Sequence, residues 1–127
     1  MSESPAVTPE LLEEICDAFN RHDVDAILSY FADECEWIMA RGPDAPWGRR
    51  CVGKAEIGEV LRARFAVVRD MRWVDTRHWV MGEKALSEWR VQGTGESGER
   101  IDWLGCDLWE FRGGKLAKKD TYWKTID

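Results

Sequence analysis

The sequence predicts an α+β domain in which a curved antiparallel sheet packs against three helices, in the order α-α-β-α-β-β-β-β. Two short segments with helical spacing lead the chain, and helical spacing returns once after the first predicted strand. Four successive strand segments then close the chain. Of the eight tryptophans, only Trp47 falls outside a predicted strand, so the sheet supplies most of the large aromatic side chains.

Capping residues and apolar spacing define the predicted helices. Thr8 suits an N-cap and Pro9 the first helical position, and this helix is expected to end near residues 20–22. Asp23 caps a second helix, and a third is predicted for residues 53–68. The buried stripes of the three helices are formed by Leu11, Leu12, Ile15, Ala18 and Phe19, by Val24, Ile27, Leu28 and Phe31, and by Ile57, Val60, Leu61, Phe65 and Val68.

Turn residues separate the predicted strands. Residues 32–34 are predicted as a turn, and residues 42–50, with two prolines and two glycines, as a loop. Gly113-Gly114 is a strong hairpin signal because both glycines accept positive φ. The predicted strands are residues 35–40, 71–80, 85–94, 100–112 and 115–123.

Length and charge limit the possible functions. A chain of 127 residues suits one domain, predicted for residues 8–127 after a polar segment at 1–7. A net charge of −6 argues against nucleic acid as a partner. No apolar run approaches the roughly 20 residues that span a bilayer, and the first residues do not resemble a secretory signal. We therefore expect a cytoplasmic protein with free thiols at its four cysteines.

Asp107 is the leading candidate for chemistry. If odd positions of the strand 100–112 face inward, five of the six residues on that face are apolar or glycine: Ile101, Trp103, Gly105, Asp107, Trp109 and Phe111. The carboxyl group then lies in an apolar wall, where desolvation raises its pKa unless Arg90 or another cation pairs with it. Asp107 is accordingly either an acid, base or ligand anchor, or a structural buried carboxylate.

The strand 85–94 has two possible orientations. Leu86, Glu88, Arg90 and Gln92 share one face, and Ala85, Ser87, Trp89 and Val91 share the other. Composition alone turns the charged face toward solvent. Elsewhere, Asp120 is expected to be solvated or ion-paired. His78 shares a face with Val74 and Val80 and is expected to point away from the cavity. In the loop, Arg41, Arg49 and Arg50 are expected to be solvated and Trp47 to pack; the alternative is that these residues capture an anionic or aromatic ligand. No metal-ligand or phosphate-loop spacing is present, so no metal and no cofactor is expected.

Three stretches carry a resemblance to a known family: residues 18–34, Gly53-Lys54, and residues 107–116 with Asp-Leu-Trp-Glu-Phe before Gly-Gly-Lys-Leu. With the element order, they resemble the SnoaL-like branch of the nuclear-transport-factor-2-like superfamily over about residues 8 to 125. The resemblance implies a cone-shaped half-barrel with a deep pocket between sheet and helices. It also implies a homodimer through the outer face of the sheet, which this register assigns to Trp89 and Val91.

The resemblance also implies roles for particular residues. Asp107 falls where ketosteroid isomerases keep an acid that donates a hydrogen bond to a developing oxyanion. Ile15 and Met39 stand where those enzymes have their Tyr and their general-base Asp. The family register turns Glu88 and Arg90 toward the cavity. The related epoxide hydrolases place an Arg and an Asp two residues apart on one strand and a second Asp on the last strand. This chain has Glu88 and Arg90 in the reverse order, and Asp120 or Thr121 on the last strand.

These observations predict a small-molecule-binding protein that is a cofactor-independent isomerase, cyclase, dehydratase or hydrolase acting by proton transfer on a small apolar carbonyl- or hydroxyl-bearing compound. The alternatives are a non-catalytic ligand-binding or dimerisation module and a protein whose outer sheet face binds another chain. The predicted catalytic residues are Asp107, Glu88 and Arg90. The predicted pocket-lining residues are Trp37, Met39, Trp73, Gln92, Trp103, Gly105, Trp109, Thr121 and Trp123.

Overall fold

A computed structural model of the protein describes residues 6–126. The predicted polar segment 1–7 therefore lies mostly outside the described residues, as does the last residue of the predicted domain. The described part contains three helices and six strands: α1 Pro9–Asn20, α2 Val24–Ser29, β1 Phe31–Asp44, β2 Gly48–Val52, α3 Lys54–Val67, β3 Arg72–Met81, β4 Lys84–Thr94, β5 Arg100–Arg112 and β6 Lys115–Trp123. Within residues 6–126 no helix is long and apolar enough to cross a membrane.

All six strands form one sheet in the order β2-β1-β6-β5-β4-β3. The predicted α+β class, with three helices and a curved, unclosed sheet, is confirmed. The prediction of a purely antiparallel sheet is wrong at one place, because β1 and β6 pair in parallel. After β1 and β2 the chain crosses through α3, and three successive hairpins then return β6 beside β1 in the same direction, which is what a parallel pair requires.

The helices begin where their caps predict. The hydroxyl of Thr8 accepts a hydrogen bond from the backbone N–H of Leu11 at 3.1 Å, and the carboxylate of Asp23 accepts one from Ala26 at 3.1 Å. Each cap satisfies an N–H group that the first helical turn leaves without a partner. The predicted apolar stripe of α1 is largely buried, and its fully covered members are Leu12, Ile15 and Ala18.

The region around the first strand differs from the prediction. β1 begins at Phe31, directly after α2, so the predicted turn at 32–34 is part of a strand. The predicted loop at 42–50 is a hairpin whose second arm is β2, with Trp37 opposite Cys51 in the ladder. Residues 41–47 are all exposed, and their glycines and prolines concealed the pairing because hairpin ends and loops share the same composition.

Candidate functional site

Asp107 lies in the interior on β5. Its side chain points toward the helices with Ile101, Trp109 and Phe111, all of them buried, whereas Leu104 and Leu108 point outward and are exposed. Asp107 itself is only 4% exposed. A carboxylate with so little access to water needs donors or a cation close by.

Three donors surround the Asp107 carboxylate. The Lys119 ammonium donates to Oδ1 at 3.0 Å and the Thr121 hydroxyl donates to the same oxygen at 2.6 Å. The Trp89 indole N–H donates to Oδ2 at 2.8 Å. Trp37 in turn donates to the Thr121 hydroxyl at 2.9 Å, so the network reaches from β4 to β1. The cation that Asp107 needs is thus Lys119.

Lys119 is buried within aromatic rings. Its Nζ lies 4.4 Å from the ring centroid of Trp37, 5.1 Å from that of Phe19 and 5.5 Å from that of Trp109. Burial lowers the pKa of the Lys119 amine, and the charge of Asp107 opposes that shift. The sequence reasoning missed this residue because a lysine between Lys118 and Asp120 is typical of a solvated strand.

A bulge in β6 turns Lys119 inward. The register shifts between Glu110 and Phe111, where Ala117 is the extra residue on β6. Thr121 therefore lies opposite Asp107, and Lys119 lies opposite Trp109. Without the bulge, counting from the glycine turn puts Asp120 opposite Asp107, since a one-residue slip exchanges the two faces.

His78 also faces the interior, so the expectation that it points away is wrong. Asp75 has a φ of 55°, and the register of β3 against β4 shifts between Val74 and Arg77. This bulge reverses the alternation, and Trp73 before it and His78 after it both reach the inner side. Residue types gave no signal for an extra residue in this strand.

The imidazole of His78 belongs to a second hydrogen-bond network. Its Nδ1 lies 2.6 Å from the Ser87 hydroxyl, which accepts a hydrogen bond from the Trp109 indole at 2.8 Å. The Ser87 hydroxyl has one proton and two acceptor lone pairs, so it can accept from Trp109 and still pair with Nδ1 in either neutral tautomer of His78. Nε2 is buried and has no hydrogen-bond partner among residues 6–126. Burial lowers the pKa of His78, which favours the neutral ring.

The Asp107 network and the His78 network both border a small cavity. Its volume is about 20 Å³, enough for about one water molecule. The indoles of Trp73, Trp89 and Trp109 fill much of the space where the resemblance implies a deep pocket. Burial, helped by the charge of Asp107, raises the pKa of the neighbouring Cys16 thiol to about 11, so this cysteine is not an activated nucleophile.

Glu88 and Arg90 lie on the outer face of the sheet, so their predicted place in the cavity is wrong. The Arg90 guanidinium donates to both carboxylate oxygens of Asp102 at 2.6 and 2.7 Å. Glu88 pairs with Arg77 at 3.6 Å. The composition of β4 indicated this orientation and the family register did not. Gln92 shares that outer face, so its predicted pocket-lining position is also wrong.

The inner face of β4 is occupied by the residues assigned to the dimer surface. Trp89 is 5% exposed and Val91 is fully buried, so neither can form an intermolecular contact and that prediction is wrong. Glycine at position 105 makes the arrangement possible. A Cβ there would overlap the Trp89 ring, with Cζ3 at 2.6 Å, and would lie 2.6 Å from the Tyr122 carbonyl oxygen, so the missing side chain leaves room for the indole that reaches Asp107.

The other predicted pocket-lining residues lie on the inner side of the sheet. Four of them are buried: Trp37, Met39, Trp109 and Thr121. Trp103 and Trp123 are partly buried and contact each other with ring centroids 5.2 Å apart. At the exposed hairpin, the Arg50 guanidinium forms a salt bridge to the Glu36 carboxylate at 2.8 Å, and its Cζ lies 5.3 Å from the Trp47 ring centroid. Within residues 6–126 no three His, Cys, Asp or Glu side chains are placed to ligate a metal ion.

Comparison with known proteins identifies both a family and a fold. The sequence profile of the SnoaL-like domain family matches residues 12–119. A candidate polyketide cyclase from Pseudomonas putida KT2440 is 20% identical with a TM-score of 0.80, over 91% of this chain and 90% of that one. A second candidate polyketide cyclase, from Xanthomonas campestris pv. campestris, is 21% identical with a TM-score of 0.79, over 91% of this chain and 88% of that one. TerC, co-crystallised with polyporic acid, is 22% identical with a TM-score of 0.77, over 91% of this chain and 89% of TerC. No curated protein sequence matches significantly.

Proposed function

This chain belongs to the SnoaL-like domain family, as its sequence features predicted, and we propose that it binds a small organic compound in its interior and moves a proton on it without a cofactor. The compound is mostly apolar and bears a carbonyl or hydroxyl group, because aromatic rings line the cavity beside polar groups that already belong to hydrogen-bond networks. The polyporic acid of TerC supports an organic ligand for this fold.

One observation carries the proposal: the Asp107–Lys119 pair and the unpartnered Nε2 of His78 border the same cavity. Buried ionisable groups with perturbed pKa values in an apolar chamber are typical of acid–base sites. Burial of the Asp107–Lys119 pair costs free energy, and the pair does not explain why an unsatisfied imidazole is buried beside it. A ligand oxygen would satisfy that imidazole.

The groups divide the chemistry between them. The Asp107 carboxylate accepts a proton from the carbon next to the ligand carbonyl, and the C–H electrons move onto the carbonyl oxygen. In the tautomer that carries its proton on Nε2, His78 donates a hydrogen bond to that oxygen as its negative charge develops. Lys119 holds the Asp107 side chain in position, and the proton returns to the ligand in the second step. Because the cavity holds about one water, a ligand gains access only when the aromatic side chains around it move.

The test is hydrogen exchange into simple ketones. Cyclohexanone, 2-tetralone and acetophenone are incubated with the protein in D₂O, and loss of the α-proton signals is followed by ¹H NMR. We expect exchange above the buffer rate for the wild type and buffer-level exchange for Asp107→Asn. Asp120→Asn is the matched control, because Asp120 is the neighbouring strand carboxylate on the opposite face and its variant should exchange like the wild type. Undiminished exchange by Asp107→Asn removes this residue from the mechanism.

A second candidate function is binding without chemistry. Both carboxylate oxygens of Asp107 already accept hydrogen bonds, and Ile15 and Met39 provide no second acid or base. Under this alternative, ketones shift the indole N–H signals in ¹H–¹⁵N spectra, and none of them exchanges faster than in buffer.

The proposal includes a homodimer through the outer face of the sheet. Trp79, Leu86 and Leu108 lie side by side in the register of β3, β4 and β5 and form an apolar row. Trp79 is 46% exposed, Leu108 44%, and the nearby Leu104 and Tyr122 55% and 54%. Adjoining exposed apolar side chains of this size favour a partner surface, and a second copy presents the same row.

We also propose a reducing, cytoplasmic setting. The four cysteines Cys16, Cys35, Cys51 and Cys106 are free thiols in the structure. Proteins that function in oxidising compartments commonly pair such residues, so unpaired thiols support this setting.

A further inference from the structure

Among the described residues 6–126, Arg64 of α3 has no carboxylate partner. Its guanidinium carbon lies 5.5 Å from the ring centroid of Trp37 and 5.9 Å from that of Trp123. No salt bridge or side-chain hydrogen bond joins Arg64 to another residue in the 6–126 range. The neighbouring Arg62 on the same helix contrasts with it, since that residue is exposed and pairs with Asp25 at 3.3 Å.

The charges of the interior do not balance. Asp107 and Lys119 are the two buried charged residues of the described chain, and they neutralise each other. Arg64 adds a positive charge on the same side of the sheet, close enough to help lower the pKa of Lys119. Burial lowers the pKa of Arg64 to about 10; the nearby Cys51 opposes this shift, Arg49 assists it, and no carboxylate contributes to it. A partly desolvated cation with no counter-ion attracts an anion.

A second donor without an acceptor lies beside Arg64. The indole N–H of Trp123 is buried and has no hydrogen-bond partner among the described residues. Its ring is one of the two under the Arg64 guanidinium, and the Trp103 ring lies against it at 5.2 Å. An unsatisfied buried N–H is unfavourable, so its position next to an unpaired guanidinium favours binding of a hydrogen-bond acceptor here.

We propose that Arg64 and the Trp123 indole N–H form a carboxylate-binding subsite for a small aromatic acid. The guanidinium fork matches the two oxygens of a carboxylate, and the indole N–H supplies a third hydrogen bond. The partly buried rings of Trp103 and Trp123 supply the apolar contact for the body of the ligand. The subsite deepens the proposed function by naming a charged group of the ligand, and it rests on that function only in assuming that ligands occupy this interior.

The test uses sodium benzoate as the probe and the indole N–H region of ¹H–¹⁵N spectra as the readout. Trp123→Phe identifies the Trp123 signal among the eight tryptophans. Benzamide, which is uncharged and nearly the same shape, is titrated in parallel, and sodium chloride keeps the ionic strength constant. We expect a saturable shift of the Trp123 signal with benzoate and none with benzamide.

Variants of the helix arginines separate the subsite from general charge attraction. Arg64→Gln should weaken benzoate binding by about tenfold or more, the usual loss of a hydrogen bond to a charged group. Arg64→Lys keeps the charge without the fork and should fall between Arg64→Gln and the wild type. Arg62→Gln removes an exposed charge two residues away and should bind benzoate like the wild type.

Three results would overturn the subsite: no saturable shift, an equal response to benzamide, or benzoate binding that Arg64→Gln does not weaken while its spectrum remains that of a folded protein. Ketone exchange and benzoate binding are separate readouts on the wild-type protein. Failure of exchange therefore counts against proton transfer at Asp107, and failure of benzoate binding counts against Arg64.

Discussion

Asp107 and Lys119 are the residues on which the interior depends most. Asp107 was predictable from its place between Trp103, Gly105, Trp109 and the rest of an apolar face. Lys119 was not, because no sequence pattern separates it from Lys115 and Lys118 of the same strand, which are not buried. The two charges are tolerable inside the protein only as a pair, since each would otherwise be a buried ion without compensation.

The first prediction tests that dependence. Lys119→Met should lower the free energy of unfolding by about 3–5 kcal/mol, because it leaves the Asp107 carboxylate buried without a cation. Urea unfolding followed by tryptophan fluorescence measures the loss. Lys118→Met is the control on the neighbouring outward position, with an expected change within about 0.5 kcal/mol.

A double variant sharpens the same experiment. Asp107→Asn combined with Lys119→Met removes both charges and should unfold at a higher urea concentration than Lys119→Met alone. Equal stability of the single and double variants would mean that the ion pair does not cause the loss.

At the level of elements, two β-bulges determine which side chains meet. The bulge at Asp75 brings His78 inside on β3, and the bulge at Ala117 brings Lys119 and Thr121 inside on β6. Each adds one residue to a strand, and one residue is enough to exchange the inner and outer faces. The site therefore depends on strand register as much as on residue identity.

The second prediction concerns the backbone of the β3 bulge. Asp75 has a positive φ of 55°, a conformation that β-branched residues disfavour strongly. Asp75→Val should lower the free energy of unfolding by about 1–2 kcal/mol, whereas Asp75→Gly should be neutral or slightly stabilising. Thermal and urea unfolding measure both changes.

Arg77→Val provides the control, because Arg77 is exposed on the same strand and is not among the non-glycine residues with positive φ. If Asp75→Val and Arg77→Val have the same stability, the conformation at Asp75 carries no measurable strain.

At the scale of the whole molecule, the outer face of the sheet exposes several large apolar side chains. Trp89 and Val91 belong to the core, and the exposed residues are instead Trp79, Leu104 and Leu108. The row of Trp79, Leu86 and Leu108 crosses three strands, so a partner that covers it buries a continuous strip.

The third prediction is that the protein sediments as a dimer and that Leu108→Glu shifts it to a monomer with an unchanged far-UV spectrum. A charge placed in the apolar row is disfavoured when a partner covers it. Val67→Glu is the matched control, since Val67 is 49% exposed on α3, away from the outer sheet face. A monomeric wild type, or a Leu108→Glu variant that remains dimeric, argues against this interface.

Local interactions determined most of the element order. The caps at Thr8 and Asp23, the apolar stripes of the helices and the Gly113-Gly114 turn act over a few residues, so they can be read from the chain directly. The buried face of β5 was equally predictable. Five of the six residues on that face are apolar or glycine, and burying them stabilises only one orientation of the strand.

Only the tertiary structure decided which groups share the interior. The bulges, the orientation of β4 and the pairing of Arg90 with Asp102 depend on how strands far apart in sequence hydrogen-bond with each other. The unpaired state of Arg64 is a property of its neighbours in space, which no window of sequence contains. Residue types can indicate that a charge is available, but strand register and packing determine which groups surround it.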